Sequence, residues 1–402
     1  MRILNLFNRY QERGGEEILV EKIIETLSEE HQVEAVFFDS RHWKKESIAL
    51  RILQPIRMLW NPQAIKETTE VIKTFEPDVI LVHNLFPVGS LGLYRLLVRS
   101  PIPVCQFVHN FRPFSINGYC WGDGKILAEG LNGNFLPEIR CGSWQASKLK
   151  TLWFGLVLKF GHWFGVWKSI DRWIAFSEFM ARSFRQAGLA DETVVSLRTY
   201  WKPSEGLRHC RENMPKNVLF LGRLAEQKGI HVLLEAWQEV EICHPDARLI
   251  IAGEGPLEGP VRDASQRSKS IEYLGFVNRE RKFDLLRSTG CLVVPSVWWE
   301  PLGMVVYEAY EFAVPVAAAA SGGLQEIVHH DHTGLCHQPG DSRELAAHLI
   351  ELLGDPEKSA RLGKAGRQWL LEEASEASWK RTLDRVLQES IAPSVPLAQE
   401  EP

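Results

Sequence analysis

The stretch NVLFLGRLAEQKGIHVLLEAWQEVEIC, residues 217–243, contains the repeating unit that decides the fold. A short apolar run at residues 218–221 predicts a buried β-strand, and residues 230–243 carry apolar side chains at helical spacing. A polar loop with two glycines joins the two. A strand, a loop and a helix in this order form the unit from which doubly wound parallel sheets are built.

The same alternation runs along the whole chain of 402 residues. Apolar runs predict two successive sets of strands, at residues 2–7, 33–38, 78–84, 103–110 and 172–177, then 217–223, 247–255, 271–277, 290–296 and 314–320. Helical segments between these strands predict an α/β protein with two Rossmann-like domains. The segment 200–217 is polar and contains two prolines, which is typical of a linker. We therefore predict domains at residues 1–204 and 205–374, a C-terminal helix at 375–390 and a disordered tail at 391–402.

Composition excludes several classes of protein. The 46 basic and 51 acidic residues give a net charge of −5, which predicts no general nucleic-acid-binding surface. The seven cysteines are odd in number and scattered, which favours a reducing cytoplasm over a disulfide framework. The most apolar segment, residues 152–167, is interrupted by Lys159 and His162, so no membrane-spanning helix is predicted. The N-terminus has the pattern of a first strand and not of a signal peptide.

The loop of the opening stretch carries two cations. Gly222 ends the strand, and Arg223 and Lys228 follow it. Because ligands of doubly wound sheets bind at the carboxyl ends of strands, we expect both side chains to face a cleft. A guanidinium fork and an ammonium group can bind the two halves of a diphosphate. The alternative is a pair of solvated loop charges.

A second informative stretch is EPLGMVVYEA, residues 300–309. Its proline and Gly303 predict the start of a helix over residues 304–312, where unpaired backbone N–H groups favour phosphate. Glu300 precedes this helix and Glu308 lies inside it, and eight helical residues span about 12 Å. That distance is comparable to the reach of a sugar, a diphosphate and a ribose, so one carboxylate could bind each end of such a ligand. The alternative is that Glu300 complements the helix dipole and Glu308 lies on a solvated face.

Nine stretches of the chain resemble the retaining glycosyltransferases of family 4, in order and in spacing. In the second half they are GRLAEQKG (222–229), AGEGP (252–256), LGFV (274–277), EPLGMVVYEA (300–309) and VPVAAAASGGLQEIV (314–328). In the first half they are ERGGEEILVEKIIETL (12–27), PDVILVHNLFP (77–87), VHNFRPF (108–114) and RWIAFSEFMARSF (172–184). The resemblance extends from Met1 to about Gln388.

This resemblance implies the GT-B fold, in which two Rossmann-like domains face each other across a cleft for a nucleotide diphosphate sugar. It implies that the last helix crosses back onto the first domain. Glu300 would contact the donor sugar and Glu308 the ribose. The other implied donor contacts are His109 with the sugar near its reacting carbon, the backbone of Gly303, Met304 and Val305 with sugar and phosphate, and Phe276 and Val277 with the base.

Two pairs in the first half have open assignments. Gly14 and Gly15 follow the first strand after a long loop, where their backbone could approach a phosphate or form a plain turn. We favour the phosphate contact. His83 and Asn84 end another strand, and they could contact the acceptor or only build the cleft.

The segment HHDHTGLCH, residues 329–337, looks at first like a metal site. It matches a loop that is ordinarily polar in the resembling family, so we predict a solvated turn. Only Cys120 and Cys141 remain in a segment, residues 116–142, that is richer in cysteine in some relatives. We predict no metal and no cofactor.

We expect a retaining, metal-independent hexosyltransferase that moves a sugar from a nucleotide diphosphate sugar to a hydroxyl acceptor. The acceptor would be a glycan or a lipid-linked saccharide in polysaccharide or glycoconjugate synthesis. We see no DxD-like pair at a strand end, so Arg223 and Lys228 are expected to stabilise the departing diphosphate. The alternatives are a sugar-nucleotide epimerase, a phosphorylase or a non-catalytic nucleotide-sugar-binding protein. A nicotinamide dehydrogenase is disfavoured because the GxGxxG fingerprint is missing.

The aromatic segment from Trp153 to Trp173 has two interpretations. On a helical wheel one broad face carries Trp153, Leu156, Phe160, Trp163, Phe164 and Trp167. This face could pack on the sheet. Alternatively, with the lysines at positions 148, 150 and 168, it could meet an anionic membrane surface beside a lipid-linked acceptor.

Overall fold

The structure is a computed structural model, and it describes residues 1–10, 14–203 and 215–391. The predicted domain boundary at residues 204 and 205 lies outside the described residues. So do Cys210 and the predicted disordered tail beyond Ile391.

The N-terminal half is built on a parallel sheet. Its strands are β1 (Arg2–Arg9), β2 (Gln32–Asp39), β3 (Val79–Val82), β4 (Val104–Val108), the two strands of a small hairpin, β5 (Trp121–Gly122) and β6 (Lys125–Ile126), β7 (Arg172–Ala175) and β8 (Val194–Ser196). Within the described residues, the six-stranded sheet has the order β2-β1-β3-β4-β7-β8 with every pair parallel. Strands β3 and β4 are wholly buried, as expected for apolar strands covered on both faces.

Helices cover both faces of this sheet. They are α1 (Gly15–Ser28), α2 (Ser40–Lys45), α3 (Ile48–Leu59), α4 (Pro62–Phe75), α5 (Ser90–Leu97), α6 (Leu136–Cys141), α7 (Lys148–Trp163) and α8 (Glu178–Gln186). None of the helices in the described ranges is long and apolar enough to cross a bilayer.

The C-terminal half repeats the architecture. Its strands are β9 (Asn217–Leu221), β10 (Arg248–Ala252), β11 (Ile271–Gly275), β12 (Cys291–Val294), β13 (Val316–Ala319) and β14 (Gly334–His337). Its helices are α9 (Ile230–Cys243), α10 (Glu258–Arg267), α11 (Arg279–Arg287), α12 (Met304–Glu311), α13 (Ser342–Gly354), α14 (Pro356–Glu373) and α15 (Glu376–Ile391). The sheet order is β11-β10-β9-β12-β13-β14, all parallel, which is the Rossmann order. The prediction of two doubly wound α/β domains is confirmed.

The strand order places the ligand site. In each sheet the order reverses at one point, between β1 and β3 and between β9 and β12, and ligands bind outside the carboxyl ends of such strands. The loops after these four strands contain Gly14, His83, Asn84, Gly222, Arg223, Lys228 and Glu300, and His109 directly follows the adjacent strand β4.

Helix α15 packs back onto the N-terminal sheet. It contacts β3 and β4. His31 and Asp384 are joined at 2.8 Å, and the side chains of Lys380 and Glu29 also pair. Trp379 and Leu383 are buried in the same core as the first sheet. The chain therefore ties its C-terminal end to its N-terminal half.

One predicted turn is wrong in part. Residues 334–337, assigned above to a solvated turn, form the edge strand β14, and His337 is buried. The strand was missed because its short run of glycine, leucine, cysteine and histidine lacks the apolar pattern of the other strands. Strand β8, at the edge of the N-terminal sheet, was missed because it has only three residues.

Candidate active site

A cleft of about 1000 Å³ lies between the two halves. Its N-terminal wall includes His109, Gly15 and Tyr119, and its C-terminal wall includes the loops after β9 and β12 and the start of α12. The predicted site residues that line it are Gly15, His109, Gly222, Arg223, Lys228, Phe276, Val277, Glu300, Gly303, Met304, Val305 and Glu308. The structure therefore brings most of the predicted site together in one place.

Glu300 is held by donors from three directions. Lys228 Nζ lies 2.9 Å from Oε1 and 2.7 Å from Oε2. Oε2 also accepts hydrogen bonds from Ser296 Oγ and from Trp298 Nε1, each at 3.0 Å. The residue is only 7% exposed. The carboxylate is thus fixed in position, and Oε1, which has Lys228 as its hydrogen-bond donor, is the oxygen with more capacity for a ligand hydroxyl.

The start of α12 lies against the same cleft. Gly303 precedes the helix with φ of +93°, and a Cβ there would come within 2.5 Å of the Leu324 side chain. Glycine is required by both the left-handed backbone and the close approach. Met304 and Val305 then begin the helix, where first-turn N–H groups favour an anion. Arg223 is exposed at the cleft and has no ion pair among the described residues, which leaves its guanidinium available to a phosphate.

The far end of the cleft holds a second carboxylate. Glu308 pairs with Lys282 Nζ at 2.5 Å, and both side chains are mostly buried. Phe276 is 73% exposed with Val277 beside it, so an apolar ring is available for stacking. Lys282 was missed by the sequence reasoning because it stands in the charged helix α11, where a lysine gives no distinguishing signal.

His109 belongs to a short chain of hydrogen bonds. His83 Nδ1 lies 2.9 Å from His109 Nε2, and His83 Nε2 lies 3.3 Å from Asn5 Oδ1. With this orientation of the Asn5 amide, His83 donates to Asn5 and accepts from His109, so His109 Nδ1 is a hydrogen-bond acceptor. That atom is buried without a partner among the described residues. Burial lowers the pKa of His83 to about 3, and burial together with His83 lowers that of His109 well below its usual range.

His83 and Asn84 are interior residues. His83 is 2% exposed and Asn84 is 6% exposed. Asn84 Nδ2 donates to Tyr10 Oη at 2.8 Å and to the carbonyl of Phe86, and Asn84 Oδ1 accepts from the backbone N–H of Phe86. Both side chains therefore lie in the framework beneath the cleft, which is one of the two assignments left open above, and a contact with the acceptor stays an untested alternative.

Gly14 and Gly15 lie at the open start of α1. Gly14 is the residue before the helix, and a Cβ at either position would meet no described atom within 4 Å. Sterics within the described protein therefore do not require glycine here. The open space at the cleft leaves the phosphate contact at this loop as a prediction.

A half-buried carboxylic acid next to this loop was not predicted. Glu16 lines the cleft and accepts from Tyr10 Oη at 3.0 Å and from Asn110 Nδ2 at 3.2 Å. Burial raises the pKa of Glu16 to about 7, against the opposing effect of Tyr10, Arg112 and Asn110. Glu16 adjoins a second glutamate in a charged helix start, so its sequence context gave no signal.

Two further predictions can be placed. In the described ranges, no three His, Cys, Asp or Glu side chains converge to hold a metal ion.

The aromatic helix α7 ends at Trp163, and Trp167 lies beyond it, buried at 2% exposure against Tyr94. The prediction that Trp167 shares the helical face is therefore wrong. Trp163 and Phe164 are exposed, whereas Phe154, Val157 and Leu158 form the buried face.

Two Rossmann-like domains that face across a cleft, with cations, carboxylates and a helix start on one wall, define the GT-B class of fold. The sequence profile described as "Glycosyltransferase Family 4" matches residues 3–197, and the one described as "Glycosyl transferases group 1" matches residues 208–369. The chain belongs to this glycosyltransferase family.

Individual proteins agree with that assignment. An uncharacterized glycosyltransferase, MJ1607 of Methanocaldococcus jannaschii, is 35% identical over 143 residues, which cover 35% of this chain and 36% of that protein. The sulfoquinovosyl transferase SQD2 of Arabidopsis thaliana is 23% identical over 411 residues, covering 97% of this chain and 69% of that protein. The match to MJ1607 thus spans only about a third of either protein.

A solved structure shares the whole fold. HepE of Anabaena in complex with UDP superposes with a TM-score of 0.67 at 18% identity, covering 97% of this chain and all of that one (100%). At this identity the likeness concerns the fold, and it includes the arrangement of both domains.

Proposed function

We propose that this protein transfers a sugar from a nucleotide diphosphate sugar to a hydroxyl group of an acceptor, with retention of the anomeric configuration and without a metal ion. The observation that carries this proposal is the placement of Glu300. Its carboxylate is fixed by Lys228, Ser296 and Trp298 directly beside the start of α12. The HepE structures with UDP and with UDP-glucose support the donor class, since they share this fold.

The cleft suggests one orientation of the donor. The ribose would bind Glu308 with Lys282, and the base would stack on Phe276. The diphosphate would meet Arg223, Lys228 and the first turn of α12. The sugar would then lie between Glu300 and the other domain, where the Nδ1 acceptor of His109 offers a hydrogen bond to a sugar hydroxyl.

The chemistry follows from the charges. As the bond between sugar and diphosphate breaks, negative charge grows on the departing phosphate, and Arg223, Lys228 and the helix start stabilise it without reorganising. The acceptor hydroxyl attacks from the same face and passes its proton to that phosphate oxygen. Configuration is retained, and no protein nucleophile is needed. His109 takes part as a neutral hydrogen-bonding group, because its pKa is held well below the physiological range.

The test is nucleotide release from a panel of UDP-, GDP- and ADP-sugars. The wild type is expected to release nucleotide from at least one donor, and Glu300→Gln is expected to release far less. A wild type that binds nucleotide sugars but releases nothing from any of them, with or without added hydroxyl acceptors, would favour the non-catalytic alternative.

For the acceptor we propose a glycan or lipid-linked saccharide, met in the cytoplasm at an anionic membrane face. The support is an exposed surface on helices α3 and α7, which lie in contact through Trp153 Nε1 and the Pro55 carbonyl at 2.9 Å. We call this surface the α3–α7 face. Its exposed apolar side chains are Ile52, Leu53, Ile56, Trp60, Leu149, Leu152, Leu156, Trp163 and Phe164.

The charges on this face suit anionic lipid. Residues 47–63 and 144–170 contain no Asp or Glu in a chain that has 51 of them. Exposed cations flank the apolar side chains at Arg51, Lys148, Lys150, Lys159 and Lys168. Aromatic rings at headgroup depth with lysines beside them are typical of interfacial binding.

Helix α7, which carries part of this face, contacts the loop beside the cleft through its buried side. Arg112 lies over the ring of Phe154 on α7 at 5.3 Å, in the loop that follows His109. A lipid-linked acceptor bound at this surface would therefore approach the donor cleft from the side of β4.

The six described cysteines are free thiols, which supports a reducing compartment.

A further inference from the structure

Glu326 of the C-terminal half reaches across to the N-terminal half. It ends a short 3-10 turn, Gly322–Glu326, that follows β13. Its Oε2 accepts from the backbone N–H of Glu178 at 2.9 Å, and its Oε1 accepts from that of Phe179 at 2.7 Å. These two N–H groups open helix α8. One carboxylate therefore bridges the domains with two parallel hydrogen bonds.

The contact is electrostatically well matched. The first N–H groups of a helix have no partner inside it, and they carry the positive end of the helix dipole. Ser177 caps the next N–H group, that of Met180, at 3.2 Å. Glu326 thus completes the start of α8 from the other domain with charge-assisted bonds, which are stronger than neutral ones.

The same turn is bonded to the loop that carries Glu300. The backbone N–H of Gly323 donates to the Glu300 carbonyl at 2.7 Å. Leu324 packs beneath Gly303, which begins α12. A shift of Glu326 relative to helix α8 would therefore also move Glu300, which is proposed to bind the sugar. It would move the start of α12, which is proposed to bind the diphosphate.

Aromatic packing links the contact to the opposite wall. Trp299, next to Glu300, packs on Phe179 with ring centroids 5.3 Å apart and on Phe111 with centroids 5.8 Å apart. Phe179 donates to Glu326, and Phe111 stands two residues after His109. One cluster thus joins the interdomain bridge to the loops of Glu300 and His109.

We propose that Glu326 is a positioning residue that fastens the two domains in the arrangement where Glu300 faces His109. Glu326 is not among the described residues that line the cleft. Its effect on turnover rests on the proposed sugar transfer, whereas its effect on domain arrangement does not.

The kinetic test uses Glu326→Gln, which keeps the shape and removes the charge. We expect turnover at saturating donor to fall about tenfold, the size of losing one charge-assisted bond. The affinity for free nucleotide should stay within twofold, because Glu308, Lys282 and Phe276 all belong to the C-terminal half. Glu373→Gln is the matched control, since Glu373 pairs with Arg198 at the same junction at 3.2 Å but is half exposed. We expect it to change neither quantity by more than twofold.

A purely structural role would lower the melting temperature and the folded fraction while leaving turnover per folded molecule unchanged. That result would overturn the proposal. So would a loss of nucleotide affinity in proportion to the loss of turnover.

Small-angle X-ray scattering of the ligand-free protein gives a test that does not depend on activity. Glu326→Ala should show a larger radius of gyration than the wild type and Glu373→Gln, because the domains can separate. Superimposable scattering curves for all three proteins would contradict the proposal even if sugar transfer were established. A larger radius of gyration for Glu326→Ala, together with an inactive wild type, would support the interdomain bridge. It would count only against the proposed function.

Discussion

The ammonium group of Lys228 lies within 2.9 Å of both carboxylate oxygens of Glu300, although 72 residues separate the two in sequence. The loops that carry them follow β9 and β12, which are neighbours at the point where the order of the sheet reverses. The pair explains why one glutamate stands just before α12: that position faces a cation from the adjacent strand. In the proposed function, the donor would meet a carboxylate and an ammonium group that are already in place.

Removing either cation should slow turnover. Arg223→Ala and Lys228→Ala should each lower turnover about 10²-fold or more, as loss of a preorganised charge-stabilising group does. The melting temperature should stay unchanged in Arg223→Ala, because Arg223 is exposed. It should fall in Lys228→Ala, because this substitution leaves the buried Glu300 without its cation. Lys216→Ala, from a surface pair with Asp246, is the control and should alter neither quantity. Wild-type turnover in both cleft variants would remove the diphosphate site from this account.

The two glutamates should differ in what they affect. Glu300→Gln should reduce turnover more than nucleotide affinity, because the proposed donor orientation puts this side chain at the sugar. Glu308→Ala should mainly weaken nucleotide binding, because the proposed donor orientation puts the ribose at Glu308, which pairs with Lys282. Steady-state kinetics and calorimetric titration with UDP and GDP measure the two effects. The opposite ranking would mean that the donor lies in the reverse direction.

The buried His83 predicts a pH dependence of stability. Its pKa is lowered to about 3 in the folded protein, while the unfolded chain binds the proton near pH 6.5. The unfolded state therefore gains protons first, and stability is lost as the pH falls from about 6.5 toward 3, by up to about 1.4 kcal/mol per pH unit. Chemical denaturation between pH 7.5 and 5 should show a shallower slope for His83→Gln than for the wild type. Equal slopes would show that His83 is not held neutral.

The α3–α7 face predicts membrane binding. The wild type should co-sediment with vesicles rich in phosphatidylglycerol and not with phosphatidylcholine vesicles. The double variant Trp163→Ala, Phe164→Ala should bind at least fivefold less, because both rings are exposed and available to lipid. Ile242→Ala is the control, since Ile242 is 79% exposed on α9 of the other domain. A wild type that stays in the supernatant with every vesicle would leave a soluble acceptor, and equal loss in the control would show non-specific adhesion.

Much of the fold could be predicted from local pattern. Strands β1, β4 and β9 are recognisable because buried parallel strands are rich in apolar residues. The edge strands β8 and β14 have three and four residues, and their pairing depends on a neighbour that the local sequence does not reveal. The end of α7 was misjudged because apolar spacing continues through Gly165, where φ of +67° ends the helix and Trp167 turns into the core.

The site could be predicted where a residue type is unusual for its place. Gly303 and Glu300 stand out because a glycine and a carboxylate interrupt an apolar context. Lys282 and Glu326 lie in ordinary charged or polar surroundings, and their partners are 26 and 148 residues away. Such contacts depend on the tertiary structure. The burial of His83 likewise follows from packing against Phe107 and His109.

Retaining sugar transfer from a nucleotide diphosphate donor can be tested by real-time proton NMR of donor hydrolysis. The protein would be treated with EDTA and given an α-linked donor from which it releases nucleotide, and the first sugar formed would be observed before mutarotation. We expect that the α-anomer appears first and that Glu300→Gln forms far less of it. Initial appearance of the β-anomer, or activity that is lost on EDTA treatment and restored by a divalent ion, would contradict it.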